Sequence, residues 1–300
     1  MCRYVVLTAA YNEESFIART IESVVVQSVL PARWIIASDG STDRTDDIVR
    51  GYASRYDFIR LIRLERTQTR GVASKVNALT HAFKELANIA YEFVGNLDAD
   101  VSVPPFYFET LLSRFRRDPL LGIAGGLIHE EHGGTFKGRF SNSTKSAAHA
   151  GQLLRRDCYE AIGGYTSLKY GGEDWCAEVN ARMRGWHVEA FPDLPIMHYR
   201  QTGSAYCWPY HRFREGKMDF SLGSHPVFEL FKCVRRLPES PFLLGALVRF
   251  TGFFWSYLSK ESRLVPPEFV AFLRKEQKRR LGVFLPGDFS SPGTDLGSSR

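Results

Sequence analysis

Closely spaced cysteines are missing from this sequence. Its five cysteines, Cys2, Cys158, Cys176, Cys207 and Cys233, are scattered over 300 residues without a C-x-x-C pair, which argues against a disulfide framework or a zinc site and fits reduced thiols. A secretory leader is missing as well. Met1 runs straight into the strand-like YVVLTAA (4 to 10), with no charged, apolar and cleavable regions in succession, so the expected location is cytoplasmic. No clean membrane span is present. The apolar run FLLGALVRFTGFFWSYLS (242 to 259) is about long enough, but Arg249 lies near its middle and two glycines weaken the helix. It is expected to pack in the fold, with a place on the membrane surface as the second reading. Internal repeats are absent too. The only low-complexity stretch, SSPGTDLGSSR (290 to 300), falls in a tail, 286 to 300, expected to be disordered.

Apolar mass, by contrast, is plentiful. At 44% hydrophobic and 13% aromatic, the chain carries enough for one large core or two modest ones. Its net charge of +6 suits a nucleic acid, an anionic membrane or a phosphorylated ligand equally. No aromatic-basic recognition motif accompanies that charge, so nucleic acid is not an expected partner. The basic residues thicken in FKCVRR (231 to 236) and RKEQKRR (274 to 280). Residues 231–280 are therefore the expected place for a peripheral contact with the inner face of the plasma membrane.

The first half alternates short apolar runs with helical periodicity. YVVLTAA is followed by Ile17, Ile21, Val24 and Ser28 at spacings of three and four, with Asn12 as N-cap and Glu13 and Glu14 in the first turn. RWIIASDG (33 to 40) precedes a helix with Ser41, Thr42 and Asp43 as capping residues. FIRLIRL (58 to 64) alternates as a strand, Val76, Leu79, Phe83 and Leu86 mark a third helix, and YEFVGNLDAD (91 to 100) reads as a fourth strand. Strands alternating with helices predict an α/β fold with a Rossmann-like, mostly parallel sheet flanked by helices on both faces. Ligands on such sheets bind at the carboxyl ends of the strands. Those ends carry YNEE, SDGSTD and DAD. From about residue 123 the pattern changes to GIAGGL, HGGTFKG, IGGY and YGGEDW, backbone suited to loops, close approach and lids.

If the fourth strand extends through Asp98 and Asp100, alternation points both carboxylates to one side. Oxygen ligands so spaced suit Mg²⁺ or Mn²⁺, which neutralise a departing diphosphate. Taken together, TAAYNEE, SDGSTDRT, GVASKVNAL and NLDAD, in that order, and then CYEAIGGYTSLKYGGEDWCAEVNARMRGW (158 to 186), resemble the family 2 glycosyltransferases of the GT-A fold over residues 4 to 200. The resemblance implies a catalytic domain over 1–225, divided into a nucleotide-binding half (1–122) and an acceptor half (123–225). A helical, basic and aromatic extension over 226–285 would follow.

The same resemblance implies roles for residues. Tyr11, Asn12 and Glu13 would border the nucleotide, with Tyr11 stacking on the base, and Asp39 would accept hydrogen bonds from base or ribose. Asp39 also fits a plain helix-capping turn. Arg70 and Lys75 would contact the diphosphate, unless they are solvated surface cations; Asp98 would serve both donor and metal. Asp98, Asp100 and His198 would be the metal ligands. Asp174 would be the general base, with Glu173 as the alternative, although an acidic first turn also favours the helix dipole. Many members carry a further acid two positions after the Asp, where this chain has Cys176, which puts a second acidic role in doubt. The motif Q-x-x-R-W of processive synthases is missing. The implied reaction is inverting, metal-dependent transfer of one sugar from a nucleotide-sugar, a UDP-sugar first, to a hydroxyl of a saccharide or lipid-linked saccharide. Two alternatives compete: a nucleotidyltransferase, disfavoured because TAAYNEESF lacks a phosphate-loop glycine, and a non-catalytic nucleotide- or saccharide-binding protein.

Overall fold

The computed structural model describes residues 3–65, 72–200, 207–239 and 241–284. Strands β1 (Tyr4–Ala10), β2 (Arg33–Asp39), β3 (Ile59–Leu64) and β4 (Phe93–Leu97) run parallel in the order β3-β2-β1-β4. Helices α1 (Ile17–Val25), α2 (Thr45–Ala53) and α3 (Val72–Lys84) connect them. Strand β1 is almost wholly buried because each face has its own cover. Tyr4 and Val6 share a core with Ile17, Ile21 and Val24 of α1, whereas Val5 and Leu7 pack with Ala78, Leu79 and Ala82 of α3.

Helix α1 begins later than its sequence suggests. Asn12 takes the left-handed φ of 53 instead of capping, a region Asn tolerates better than most residues. The Glu13 carbonyl accepts the amides of Phe16 and Ile17, and no acidic residue stands in the first turn. Asn12 turns towards the next loop, where its Oδ1 accepts the Thr42 amide at 2.9 Å and its amide donates to Ser41 Oγ.

After β4 come β5 (Val101–Ser102), α4 (Tyr107–Arg117), β6 (Leu121–His132), β7 (Thr135–Gly138), β8 (Gly151–Arg155), α5 (Arg156–Ile162), α6 (Glu173–Met183) and β9 (His187–His198). The full order is β3-β2-β1-β4-β8-β6-β9-β5, with β7 hairpinned on β6. Strands β6 and β9 are parallel to each other, and β8 runs antiparallel between β4 and β6. The stretch GIAGGL, expected as loop, is the buried core of β6. Its glycines serve close packing: a Cβ on Gly126 would lie 1.9 Å from the Leu194 carbonyl oxygen of β9. The YGGEDW stretch is a turn as expected, with Gly171 and Gly172 at φ 94 and 91, a conformation L side chains rarely adopt.

Four more helices follow among the described residues: α7 (Trp208–Ser221), α8 (Pro226–Arg235), α9 (Leu244–Leu258) and α10 (Pro267–Phe284); the tail at 286 to 300 lies outside them. Leu222 at the end of α7 and Phe269 and Leu273 of α10 dock on Cys176 and Val179 of α6. Helices α7 and α9 meet backbone to backbone, since a Cβ on Gly252 would lie 2.1 Å from the Phe213 carbonyl and one on Gly216 2.0 Å from that of Arg249. Arg249 is 2% exposed. It pairs with Glu215 at 2.9 Å, with Glu229 at 3.0 Å and with Asp219. The charge that interrupts the apolar run is thus satisfied inside the protein. Among the described residues no helix is long and apolar enough to cross a membrane.

Candidate active site

The carboxyl ends of β1, β2 and β4 deliver Glu13, Asp39 and Asp98 to one edge. Asp98 and Asp100 lie in the turn between β4 and β5 rather than in a strand, so pleat alternation does not set their directions. Hydrogen bonds set the turn. The Asp98 amide donates to the Ala150 carbonyl at 3.0 Å, and the Asn96 side chain donates to Asp98 Oδ1 and to the His149 carbonyl. Lys75 Nζ, from α3, reaches Asp98 Oδ1 at 2.6 Å. Burial opposes ionisation of Asp98, but the Lys75 ammonium outweighs it and holds the carboxyl well below the usual range.

Asp100 has its own partners on the same edge. Its Oδ1 lies 3.3 Å from His198 Nε2 and its Oδ2 3.7 Å from Arg200. The pairing of β5 with β9, Val101 opposite His198, makes this contact. Burial pulls the His198 pKa down, yet the Asp100 carboxylate more than offsets it and raises the imidazole above its ordinary value. Arg200 grips Glu13 with both nitrogens, at 3.0 and 2.6 Å. Burial pushes the Glu13 carboxyl up to about 7 against that pull.

The facing wall is the N-terminus of α6. Glu173 is buried and pushed up to about 7, by desolvation first and by the neighbouring Asp174 charge second. Asp174 is half-buried; its Oδ1 accepts the Trp175 amide at 2.8 Å and its Oδ2 the His149 amide at 3.4 Å. Of the two, Asp174 is the less buried. Cys176 is buried in the seam against the C-terminal helices, so it contributes nothing to this wall. One turn beyond Asp174, Glu178 accepts from Ser146 Oγ at 3.0 Å and lies 3.5 Å from Arg182. Burial pushes it up to about 8.

Of the other sequence candidates, Asp39 accepts a short hydrogen bond from Ser74 Oγ of α3, Tyr11 is half-buried where β1 ends, and Asn12 is committed to the Ser41–Thr42 loop. Arg70 lies outside the described residues. Reading the sequence missed three members of the site: Asn96, Arg200 and His149. The His149 ring packs edge-on against Tyr165 at 4.4 Å, and burial followed by the Lys75 charge drives its pKa down to about 4. Arg200, two positions past His198, was the one with a readable signal. His149 sits in the polar stretch before β8 and had none.

Among the described residues no three His, Cys, Asp or Glu side chains gather as a metal-binding group. The donor set still suits a hard divalent ion: two carboxylates and an imidazole whose buried Nδ1 has no partner among the described residues. In the structure as it stands, the chain's own cations neutralise these carboxylates.

Sheet order and acidic edge together put the candidate site at the carboxyl ends of the parallel strands. The family model described as "Glycosyl transferase family 2" matches residues 5–171, more than half of the sequence, and the chain belongs to that family. Poly-beta-1,6-N-acetyl-D-glucosamine synthase of Staphylococcus epidermidis is 34% identical over 123 residues, 40% of this chain and 27% of that protein. The synthase of Staphylococcus aureus strain COL is 32% identical over the same length. The chain thus spans about a quarter of the curated relatives it matches. Among solved structures, S. aureus TarS 1–349 in complex with UDP-GlcNAc is similar at TM-score 0.55 and 15% identity, over 92% of this chain and 83% of that one. Mannosyltransferase PcManGT from Pyrobaculum calidifontis, in complex with GDP-Man and Mn²⁺, is similar at TM-score 0.55 and 18% identity, over 95% and 81%. At such identities the likeness is one of fold.

Proposed function

We propose that this glycosyltransferase moves one sugar from a nucleotide-sugar to a hydroxyl of a saccharide or lipid-linked saccharide, with inversion and without processive extension. One observation carries the reading: Lys75 bonds Asp98 at 2.6 Å between a strand edge rich in carboxylates and the α6 terminus that bears Glu173 and Asp174. Donor phosphates and acceptor hydroxyl would meet across that gap. The S. aureus structure with UDP-GlcNAc supports a UDP-sugar as the first donor to test; the mannosyltransferase with GDP-Man keeps GDP-sugars in view. The similarity to polysaccharide synthases supports a saccharide acceptor.

In this reading Tyr11 stacks on the base, and Asn12, Glu13 and Asp39 hold base and ribose. Arg70 and Lys75 meet the diphosphate. Asp98, Asp100 and His198 would hold Mn²⁺ or Mg²⁺, whose positive charge offsets that of the leaving diphosphate. Asp174 takes the proton of the acceptor hydroxyl as that oxygen attacks the anomeric carbon from the side opposite the phosphate. A single base, with no nucleophile paired to an acid, is the arrangement of one in-line displacement and hence of inversion. The division at residue 122, and a peripheral contact of residues 231–280 with the inner face of a plasma membrane, belong to the same proposal.

Calorimetry with UDP-GlcNAc and GDP-Man, with and without Mn²⁺, tests the donor half. Release of nucleoside diphosphate tests the chemistry, and Asp174→Asn is expected to slow it by about 10²-fold or more while donor binding survives. Undiminished turnover in that variant, or donor uptake indifferent to Mn²⁺, would overturn the mechanism.

A further inference from the structure

Helix α9 is built inside out. Its only charged residue, Arg249, points inward to Glu215, Asp219 and Glu229, and apart from Phe253 the rest of its inner face is small: Gly245, Ala246, Gly252 and Ser256. Its outer face is large and apolar. Leu244, Leu247, Trp255 and Leu258 are 54, 60, 55 and 81% exposed, and the helix contains no acidic residue. Helices that meet water show the reverse pattern. Neighbouring α10 obeys the rule, burying Phe269, Val270 and Leu273 and exposing Lys275, Lys278 and Arg279. Small residues at a close helix contact, with polar groups paired within and bulk outside, are what an apolar solvent selects.

The start of the helix adds to this face. Leu243 takes φ 58, an unusual backbone for a bulky residue, and Phe242 and Leu243 stand exposed there. Exposed cations flank both ends: Lys260 and Arg263 follow the helix. Arg235 ends α8, which the Leu243 amide ties to the start of α9 through the Leu237 carbonyl at 3.2 Å. An apolar stripe between cations complements an anionic lipid surface. At 15 residues, about 22 Å long, the helix fits in the plane of the interface and is too short to span a bilayer.

We infer that the outer face of α9, led by Phe242 and Leu243, inserts in the plane of an anionic phospholipid membrane and docks the enzyme there. This assigns the membrane contact proposed above to one helix face, and it rests on that proposal only for the lipid-linked acceptor. The test is flotation of the purified protein with phosphatidylglycerol or phosphatidylcholine vesicles, beside quenching of tryptophan fluorescence by brominated lipid. Wild type is expected to float with the anionic vesicles and to be quenched. The double variant Leu247→Glu/Leu258→Glu is expected to lose binding by at least about tenfold while keeping its circular dichroism, melting temperature and transfer to a soluble acceptor. Wild type that binds neither vesicle, or a double variant that binds as well as wild type, overturns the inference. So does a dimer in lipid-free sedimentation that the double variant breaks, since a second copy would then cover the face. Vesicle binding without use of a lipid-linked acceptor counts against that acceptor alone.

Discussion

Among the described residues, the acids around Arg249 and the acids of the sheet edge differ in how their carboxylates are paired. In the helical layer, Arg249 meets Glu215, Asp219 and Glu229, and its charge, after the opposing effect of burial, brings Glu215 and Asp219 down to about 2. At the sheet edge, burial prevails at Glu13 and Glu173 and lifts both to about 7. The difference is one of pairing. Around Arg249, with Lys232 and Arg212 beside it, burial prevails at Glu229 alone. At the sheet edge Lys75 lowers Asp98, yet burial prevails at Glu13 and Glu173, and buried acids with raised pKa values gathered at a strand edge mark a candidate site.

The most forceful way to break the comparison is Arg249→Ala. It takes the shared cation from Glu215, Asp219 and Glu229, leaving Arg212 and Lys232 to offset them, and is expected to cost about 3 kcal/mol in urea unfolding; a loss near zero would mean that the cluster holds nothing together. Next comes Asp98→Asn, which is expected to lower kcat/KM by about 10²–10³-fold and to move the melting temperature far less than Arg249→Ala does. Comparable damage to stability would erase the distinction between the two clusters.

A smaller effect sharpens the contrast through pH. Glu173 has a raised folded pKa, so between its ordinary value of 4.5 and about 7 the unfolded chain releases a proton that the folded chain retains. Stability therefore falls across that window as pH rises. Glu173→Gln is expected to flatten the fall by roughly 1–3 kcal/mol, as followed by melting at stepped pH. Glu215 and Asp219 act oppositely: their contribution is present above the ordinary carboxylate range and is lost as pH drops towards about 2. Identical pH curves for wild type and Glu173→Gln would deny Glu173 its raised pKa.

How much could be read beforehand varied with the range of the forces involved. Strands β1, β2 and β4 were legible because burial on both faces writes continuous apolar runs, β3 because its residues alternate, and Asp39 and Asp98 were legible because they end such runs. GIAGGL in β6 was not, since its glycines answer to Leu194, Cys158 and Trp186, residues far along the chain. Asn12 misled for the same reason: Thr42, some thirty residues away, claims its side chain. His149 enters the site just ahead of β8, whose place beside β4 no local pattern announces, and its carbonyl accepts from Asn96 of β4. The reversed polarity of α9 lay hidden until the partners of Arg249 were known.

The backward course of β8 has a consequence of its own. Because Gly151 opens that strand opposite Leu97, the chain arriving at it passes the aspartate turn, whereas in a forward strand only the departing chain would. That arriving chain buttresses the turn: the Ala150 carbonyl accepts the Asp98 amide, the His149 carbonyl accepts from Asn96, and Ala147 shares a core with Ala78 and Leu79 of α3, so a change in residues 147–150 would be felt at the aspartates.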